Sequence, residues 1–281
     1  MTTVGRARLA GRCHDGAMRV STGVAGAVLV VALTAGGCSS GGGDADDAAG
    51  STTTAEASTT TVDPAAVDVA EQYLEALTAA DGPDVDAMTA LSAPDSVAEN
   101  YAVHTAALAE LQAAAGEPVG GGEVRVEGDT VIATLVGSGG ATVDTTWADF
   151  TLDDNGLLVD FTINGVALDD RLVVDGASDT VDDVTIAVVS AFELVTNDSP
   201  VVILEIDNGG AGPYRLRGAS YEAPDGTTVT SSPDEGRGLV VPAGGTNRAL
   251  LIFAPAPFAG TLTLEGAIAG APLTHELTLT P

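Results

Sequence analysis

The sequence of 281 residues contains no lysine, and its ten basic residues, all arginine, face 40 acidic residues. The formal net charge is therefore −30 at pH 7. A chain of this charge repels the phosphate backbones of DNA and RNA, which are themselves negatively charged. We therefore predict that the protein does not bind nucleic acid.

Cysteine and histidine are also scarce, with two and three residues respectively. They show no zinc-site spacing, and the chain has no phosphate-binding loop, no dinucleotide-binding glycine pattern and no G-x-S-x-G motif. The aspartate pairs at 153–154, 169–170 and 182–183 lack the spacing of a calcium loop and fall in predicted turns or linkers. We predict no metal, no cofactor and no catalytic residue.

Residues 1–37 have the features of a secretory signal peptide, with Met18 as a candidate true start. Four arginines precede an apolar segment of small and aliphatic residues at 20–37. A basic start, a short apolar core and small residues before the cut are typical of such signals. The core at 24–35 is shorter than the roughly 20 apolar residues that span a membrane.

The stretch TAGGC at residues 34–38 resembles the lipobox of bacterial lipoproteins, with Ala35 where leucine is commonest. The resemblance implies that Cys38 is acylated, with palmitate as one acyl chain, and becomes the first residue after cleavage. It also implies attachment to the outer face of the cytoplasmic membrane. Each buried methylene contributes about 0.8 kcal/mol, so two or three acyl chains anchor a protein firmly. An ordinary signal peptide with an incidental cysteine is the alternative.

Cleavage before Cys38 would remove four arginines and one aspartate, leaving six basic and 39 acidic residues and no second cysteine for a disulfide. Residues 38–62 then form a flexible linker, because they contain almost no large apolar side chain and cannot build a core. A coil of this length reaches about 25–30 Å, enough to lift a domain off the lipid headgroups.

Residues 63–170 are predicted to form an α+β domain. Asp63 caps a first helix that ends at Gly82, residues 85–91 form a short second helix, and Ser96 with Glu99 forms the capping box of a third. This third helix ends at Gly116, and the periodicity then changes to two, which predicts hairpins over 124–136 and 141–163. Helices followed by an antiparallel sheet indicate an α+β fold.

This element order, with the stretch WADFTLDDNGLLVDFTING at 147–165, resembles the cone fold of nuclear transport factor 2-like or ketosteroid-isomerase-like domains. The resemblance implies a pocket that some members use for catalysis and many only for binding. The candidate pocket residues are Tyr73, Tyr101, His104, Trp147 and Asp149. His104 also fits a core stripe and Trp147 fits ordinary packing, whereas Asp149 is predicted to share the face of Trp147 and to be solvated rather than catalytic.

Residues 171–281 are predicted to be all-β, because eight short β-rich runs alternate there with turn residues. The stretches VVILEIDNGG and VPAGGTNRALLIFAPAP resemble immunoglobulin-like β-sandwiches of bacterial secreted and lipid-anchored proteins. The predicted aromatic core is Phe192, Tyr221 and Phe253. A boundary between two separately cored domains is expected near Arg171.

Two functional hypotheses follow. In the first, the protein is not an enzyme but a lipid-anchored cell-envelope module that binds a protein, a glycan or a small apolar ligand, or has a structural role. In the alternative, the pocket is an isomerase or lyase site with Asp149 or His104 as the base. Such a base also needs a group that stabilises developing charge. The two hypotheses therefore differ in whether Asp149 and His104 converge in one pocket.

Overall fold

The computed structural model describes residues 63–117, 120–136, 142–231 and 239–281. The predictions for residues 1–62, which include the signal peptide, Cys38 and the linker, lie outside the described residues. Three helices precede fifteen strands in the described ranges, in agreement with a predicted α+β region followed by an all-β region. In the same ranges, no helix is long and apolar enough to cross a membrane.

The helices begin where the sequence predicts them. They are α1 Pro64–Leu77, α2 Val85–Leu91 and α3 Val97–Ala115. The Asp63 side chain accepts a hydrogen bond from the Ala65 amide, and Ser96 accepts one from the Glu99 amide. Glu99 differs from the ordinary capping box, because its carboxylate accepts from the amide of Asp95 and not from that of Ser96. Gly116 ends α3 in the left-handed conformation that a residue without Cβ adopts freely.

The end of α1 is a correction to the prediction. The helix ends at Leu77, five residues before Gly82, with Thr78 as its cap. The Thr78 hydroxyl donates to the Leu74 carbonyl, and the Asp84 amide donates to the Ala76 carbonyl at 2.9 Å. Because these bonds satisfy the last carbonyls of α1, the chain leaves the helix before it reaches the glycine.

The first sheet is antiparallel and its strands follow chain order. They are β1 Gly122–Glu127, β2 Thr130–Val136, β3 Thr142–Leu152, β4 Leu158–Ile163 and β5 Val166–Ala167. The register of β3 against β4 shifts between Ala148 and Thr151, which is a β-bulge. Before the bulge the odd-numbered Thr145 and Trp147 are buried, whereas within it the even-numbered Phe150 is buried. The bulge therefore exchanges the faces of the strand.

The second region consists of two antiparallel sheets. Its strands are β6 Leu172–Val174, β7 Ser178–Val181, β8 Val184–Glu193, β9 Pro200–Asn208, β10 Tyr214–Glu222, β11 Thr228–Ser231, β12 Leu239–Val241, β13 Gly245–Ile252, β14 Thr261–Ile268 and β15 Ala271–Thr278. One sheet has the order β13-β9-β8-β6 with β7 on β8, and the other has the order β11-β10-β14-β15 with β12 on β10. All eight predicted strands are present, and the sequence analysis missed the short β6 and β7.

The described residues form two hydrophobic clusters, and the boundary between the clusters does not fall at residue 171. The cluster between the two sheets of the second region uses only residues 173–279. The cluster of the first region also includes Leu172 and Phe192, with Leu194 and Val195 packed against it. Helix α3 contacts β4 of the first sheet as well as β6 and β8. The predicted Phe192 therefore belongs to the first cluster, while Tyr221 and Phe253 lie in the second.

A second bulge explains how β8 serves both clusters. Its register against β9 shifts between Val188 and Ser190. Val184, Ile186 and Val188 point into the core between the two sheets, whereas Phe192 joins the first cluster. The even-numbered side chains of one strand thus change sides at the bulge.

Several turns place aspartate in the left-handed backbone conformation. Of the described residues other than glycine, nine have positive φ, and six of them are aspartates. These six are Asp95, Asp149, Asp175, Asp182, Asp183 and Asp198. Aspartate tolerates this conformation because its short side chain bonds to the local backbone.

Candidate functional site

A cavity of about 210 Å³ lies where α3, the first sheet and the connection between β8 and β9 meet. One face of α3 supplies Tyr101, His104, Thr105, Leu108, Ala109 and Gln112. The remaining wall includes Leu135, Val143, Thr145, Trp147, Phe192, Leu194, Val195 and Thr196. Both regions of the chain therefore contribute to the cavity.

Aromatic rings form part of the apolar wall, and Phe161, which does not itself line the cavity, packs against them. The Tyr101 ring meets the rings of Trp147, Phe161 and Phe192 edge to face, with centroids 5.5, 5.8 and 5.9 Å apart. Edge-to-face contacts at these distances are favourable and fix the orientation of each ring. Burial also raises the pKa of Tyr101 to about 12, so its phenol is neutral at physiological pH. The wall is therefore rigid and uncharged.

Trp147 is held in place by a short hydrogen-bond chain. Its indole Nε1–H donates to the Thr145 hydroxyl at 2.8 Å, and that hydroxyl donates to the Ala133 carbonyl at 3.0 Å. The indole is 1% exposed. Because all of its hydrogen-bonding capacity is used within the sheet, Trp147 offers the cavity only apolar surface.

His104, on α3 of the first region, contacts two residues of the second region. Its Nδ1 lies 3.0 Å from the Ser190 hydroxyl on β8, and its ring packs 5.3 Å from that of Phe192. Burial lowers the pKa of His104 to about 4, because an imidazolium ion would lose its hydration there. The side chain is therefore neutral near pH 7.

Two other polar side chains of α3 line the cavity without using their hydrogen-bonding groups. Gln112 is 8% exposed, and its side-chain amide makes no hydrogen bond to any residue that the structure describes. The Tyr101 hydroxyl likewise has no partner within the described ranges. Because both residues line the cavity, a ligand with polar atoms would find hydrogen-bonding groups there.

The connection from β8 to β9 is a tight turn that closes one side of the cavity. The Leu194 amide donates to the Ser199 carbonyl, and the Asp198 amide donates back to Leu194 at 2.9 Å. Arg171 clamps this turn through ion pairs with Glu193 at 3.0 Å and Asp198 at 2.9 Å. Burial raises the pKa of Glu193, and the neighbouring guanidinium of Arg171 opposes that shift.

The structure brings together only part of the predicted set. Tyr101, His104 and Trp147 line the cavity. Tyr73 is 1% exposed and lies in the core, where its hydroxyl donates to the Ala98 carbonyl at 2.8 Å. Asp149 is exposed and accepts a hydrogen bond from the Thr162 hydroxyl at 3.0 Å. The expectation that Asp149 shares the face of Trp147 is wrong, because the bulge in β3 lies between Ala148 and Thr151.

Sequence reasoning missed Gln112, Ser190 and the turn at 194–199. Gln112 lies three turns beyond Tyr101 on the same helical face, at a spacing of eleven residues that was available in the sequence. Ser190 could be found only by knowing that β8 carries a bulge. His275, the remaining histidine in the described ranges, is fully buried in the second region, with Nδ1 3.4 Å from the Asp179 carboxylate.

The cavity has no charged lining. None of the described residues around it is Asp, Glu, Arg or Lys. No group of three metal-ligating side chains occurs elsewhere in the described ranges either. The sequence matches no protein-family model, and no curated protein is detectably similar to it.

Proposed function

We propose that this protein is a lipid-anchored binding module of the cell envelope that holds a small, mainly apolar ligand. The observation that carries the proposal is the cavity of about 210 Å³ with uncharged walls and unpartnered polar side chains. An apolar cavity of about 150 Å³ is large enough to bind benzene, so this one has room for a single ring with substituents or a short chain. Binding sites of this kind combine apolar walls with a few placed polar groups.

The finer description of the two regions is part of the proposal. We regard residues 63–170 as a cone-like domain of the nuclear transport factor 2 type, on the basis of three helices followed by a five-stranded antiparallel sheet. We regard residues 171–281 as an immunoglobulin-like sandwich, on the basis of two antiparallel sheets around one core. On this view the cavity lies at the open end of the first domain and is closed by the second.

Binding is favoured over the alternative of an isomerase or lyase. Such chemistry needs a base and a group that stabilises charge within hydrogen-bond reach of one substrate atom. Asp149 faces away from the cavity and bonds to Thr162. A base with the pKa of His104, about 4, is weak at neutral pH. Neither candidate base is therefore suited to proton abstraction.

The anchor is the proposed role of Cys38. The wild-type protein is expected to enter the detergent phase on phase separation and to incorporate labelled palmitate, because acyl chains partition into apolar phases. The Cys38→Ala variant is expected to stay in the aqueous phase without label. A wild type that remains aqueous would contradict the anchor and leave the binding proposal untouched.

Ligand binding is testable with toluene and the only tryptophan of the chain, Trp147, whose indole lines the cavity. In the wild type, toluene is expected to shift the indole N–H resonance saturably. Ala109→Phe fills the cavity from α3 and should abolish the shift, whereas Ala114→Phe, on an exposed position of the same helix, should preserve it. A wild type that does not respond, or an Ala109→Phe variant that responds equally, would refute the proposed site.

A further inference from the structure

We propose that the cavity selects a neutral ligand bearing a hydrogen-bond acceptor, such as a carbonyl or ether oxygen, which receives the Nε2–H of His104. The inference rests on the proposed function of the cavity as a binding site. It adds the chemical class of the ligand and the residue that recognises it. Ser190 acts as a positioning residue, because it fixes which nitrogen of His104 carries the proton.

The first step concerns the hydroxyl of Ser190. Ser190 is 0% exposed, and its only side-chain hydrogen bond to the described residues is the one to His104 Nδ1 at 3.0 Å. A buried O–H without an acceptor is costly, so the hydroxyl donates to Nδ1. Nδ1 is then the acceptor of the neutral ring, and the proton must reside on Nε2.

The second step concerns what Nε2–H can reach. His104 lines the cavity, and Nε2 has no hydrogen bond to any described residue. Thr105 and Tyr101, which also line the cavity, lie beside His104 on the same face of α3. The cavity therefore presents a fixed N–H donor on a helical face that also carries the hydroxyl-bearing side chains of Thr105 and Tyr101. An acceptor placed there would satisfy the donor that the protein leaves free.

The third step excludes a charged ligand. No charged side chain lines the cavity in the described ranges, so neither an anion nor a cation would find a counter-charge. The neutral state of His104 removes the only other source of positive charge, and the net charge of −30 repels anions further. A carboxylate is therefore a poorer ligand than the corresponding ketone.

The test compares three probes of similar size, which are acetophenone, α-methylstyrene and benzoate, by titration of the Trp147 indole N–H resonance. α-Methylstyrene has the shape of acetophenone without the acceptor oxygen. For the wild type we expect acetophenone to bind about tenfold more tightly than α-methylstyrene, the factor that one net hydrogen bond of about 1.4 kcal/mol supplies, and benzoate to bind least.

The variant that removes the recognition is His104→Phe combined with Ser190→Ala. It keeps an aromatic ring against Tyr101 and Phe192 and leaves no hydroxyl without a partner. We expect it to bind both neutral probes with affinities within about twofold of each other. His275→Leu, which removes the other described histidine, one that does not line the cavity, is the matched control and should keep the tenfold preference.

A direct measurement is independent of these variants. The ¹⁵N shifts of the His104 ring in the wild type at pH 7 should identify the Nε2–H tautomer, and a ring protonated on Nδ1 or on both nitrogens would overturn the inference. Equal affinity of the wild type for acetophenone and α-methylstyrene would overturn it too, while binding of both probes would leave the proposed function standing. If toluene and all three probes fail to bind, the proposed function itself fails.

Discussion

At the scale of single residues, His104 contributes to the loss of stability in acid. In the folded protein its pKa is about 4, against about 6.5 for an unfolded chain. Between these values the unfolded state holds more protons, so the stability contributed by His104 is present above pH 6.5 and is lost as the pH falls towards 4. The lost free energy amounts to about 3 kcal/mol.

The prediction is tested by comparison with His104→Gln, whose amide does not titrate. Denaturant unfolding at pH 7 and at pH 4 should show the wild type losing about 3 kcal/mol more than the variant. The 40 acidic residues also affect stability in acid, but both proteins share them. Their contribution therefore cancels when the losses of the wild type and the variant are compared. Parallel losses in the two proteins would mean that His104 is protonated normally in the folded state.

At the scale of elements, the turn after β8 depends on Arg171. Its guanidinium makes two ion pairs, and one partner, Glu193, has a side chain only 8% exposed. Arg171→Met leaves that carboxylate buried without a counter-charge, so we expect a loss of about 2–3 kcal/mol in the free energy of unfolding, somewhat below the cost for a fully buried pair because Arg171 is partly exposed.

Arg125 is the matched control. It also makes two ion pairs, with Glu127 and Asp144, both at 3.0 Å, but its side chain is 47% exposed and its partners are more exposed still. Arg125→Met is therefore expected to cost far less stability than Arg171→Met, because solvent screens the exposed pairs. Equal effects of the two substitutions in urea denaturation would contradict the view that Arg171 acts through a buried charge.

At the scale of elements, local features of the fold could be predicted from the sequence, whereas features that depend on strand pairing could not. Helix starts and hairpin turns depend on neighbouring residues, so Asp63, Ser96 and the turn at Gly128 were predictable from local patterns. The bulges in β3 and β8 depend on strand pairing across the sheet, and they decide that Asp149 faces away from Trp147 and that Ser190 reaches His104. The part of the site that depends on these two bulges was therefore not predictable.

At the scale of the whole molecule, the two regions are unequal. The described core of the second region consists of residues within 173–279, whereas the core of the first region also includes Leu172 and Phe192 of the second. Helix α3 also reaches β13 through an ion pair between Glu110 and Arg248. Contacts between the two regions therefore bury part of the first core. The switch in periodicity near residue 171 predicts a boundary between the regions but does not reveal these contacts.

We therefore expect an asymmetric result when the regions are separated. A fragment of residues 171–281 should fold alone, with a β-type circular dichroism spectrum and a cooperative thermal transition. A fragment of residues 63–170 should unfold at a lower temperature or aggregate, because it exposes the apolar surface that Leu172 and Phe192 cover. A stable, monomeric fragment 63–170, or substantial helix in fragment 171–281, would contradict this division of the core.

The aspartates with a left-handed backbone conformation have a further consequence for copies of the protein that lie side by side on one surface. Five of the six, all except Asp149 within β3, place a carboxylate at a turn, and Arg171 pairs with one of them, Asp198. At physiological ionic strength charges are screened beyond about 8 Å, so such molecules repel one another strongly only when they nearly touch. For copies anchored side by side as proposed, lateral crowding on the membrane would then be governed by salt, with dilute surroundings spreading the molecules apart.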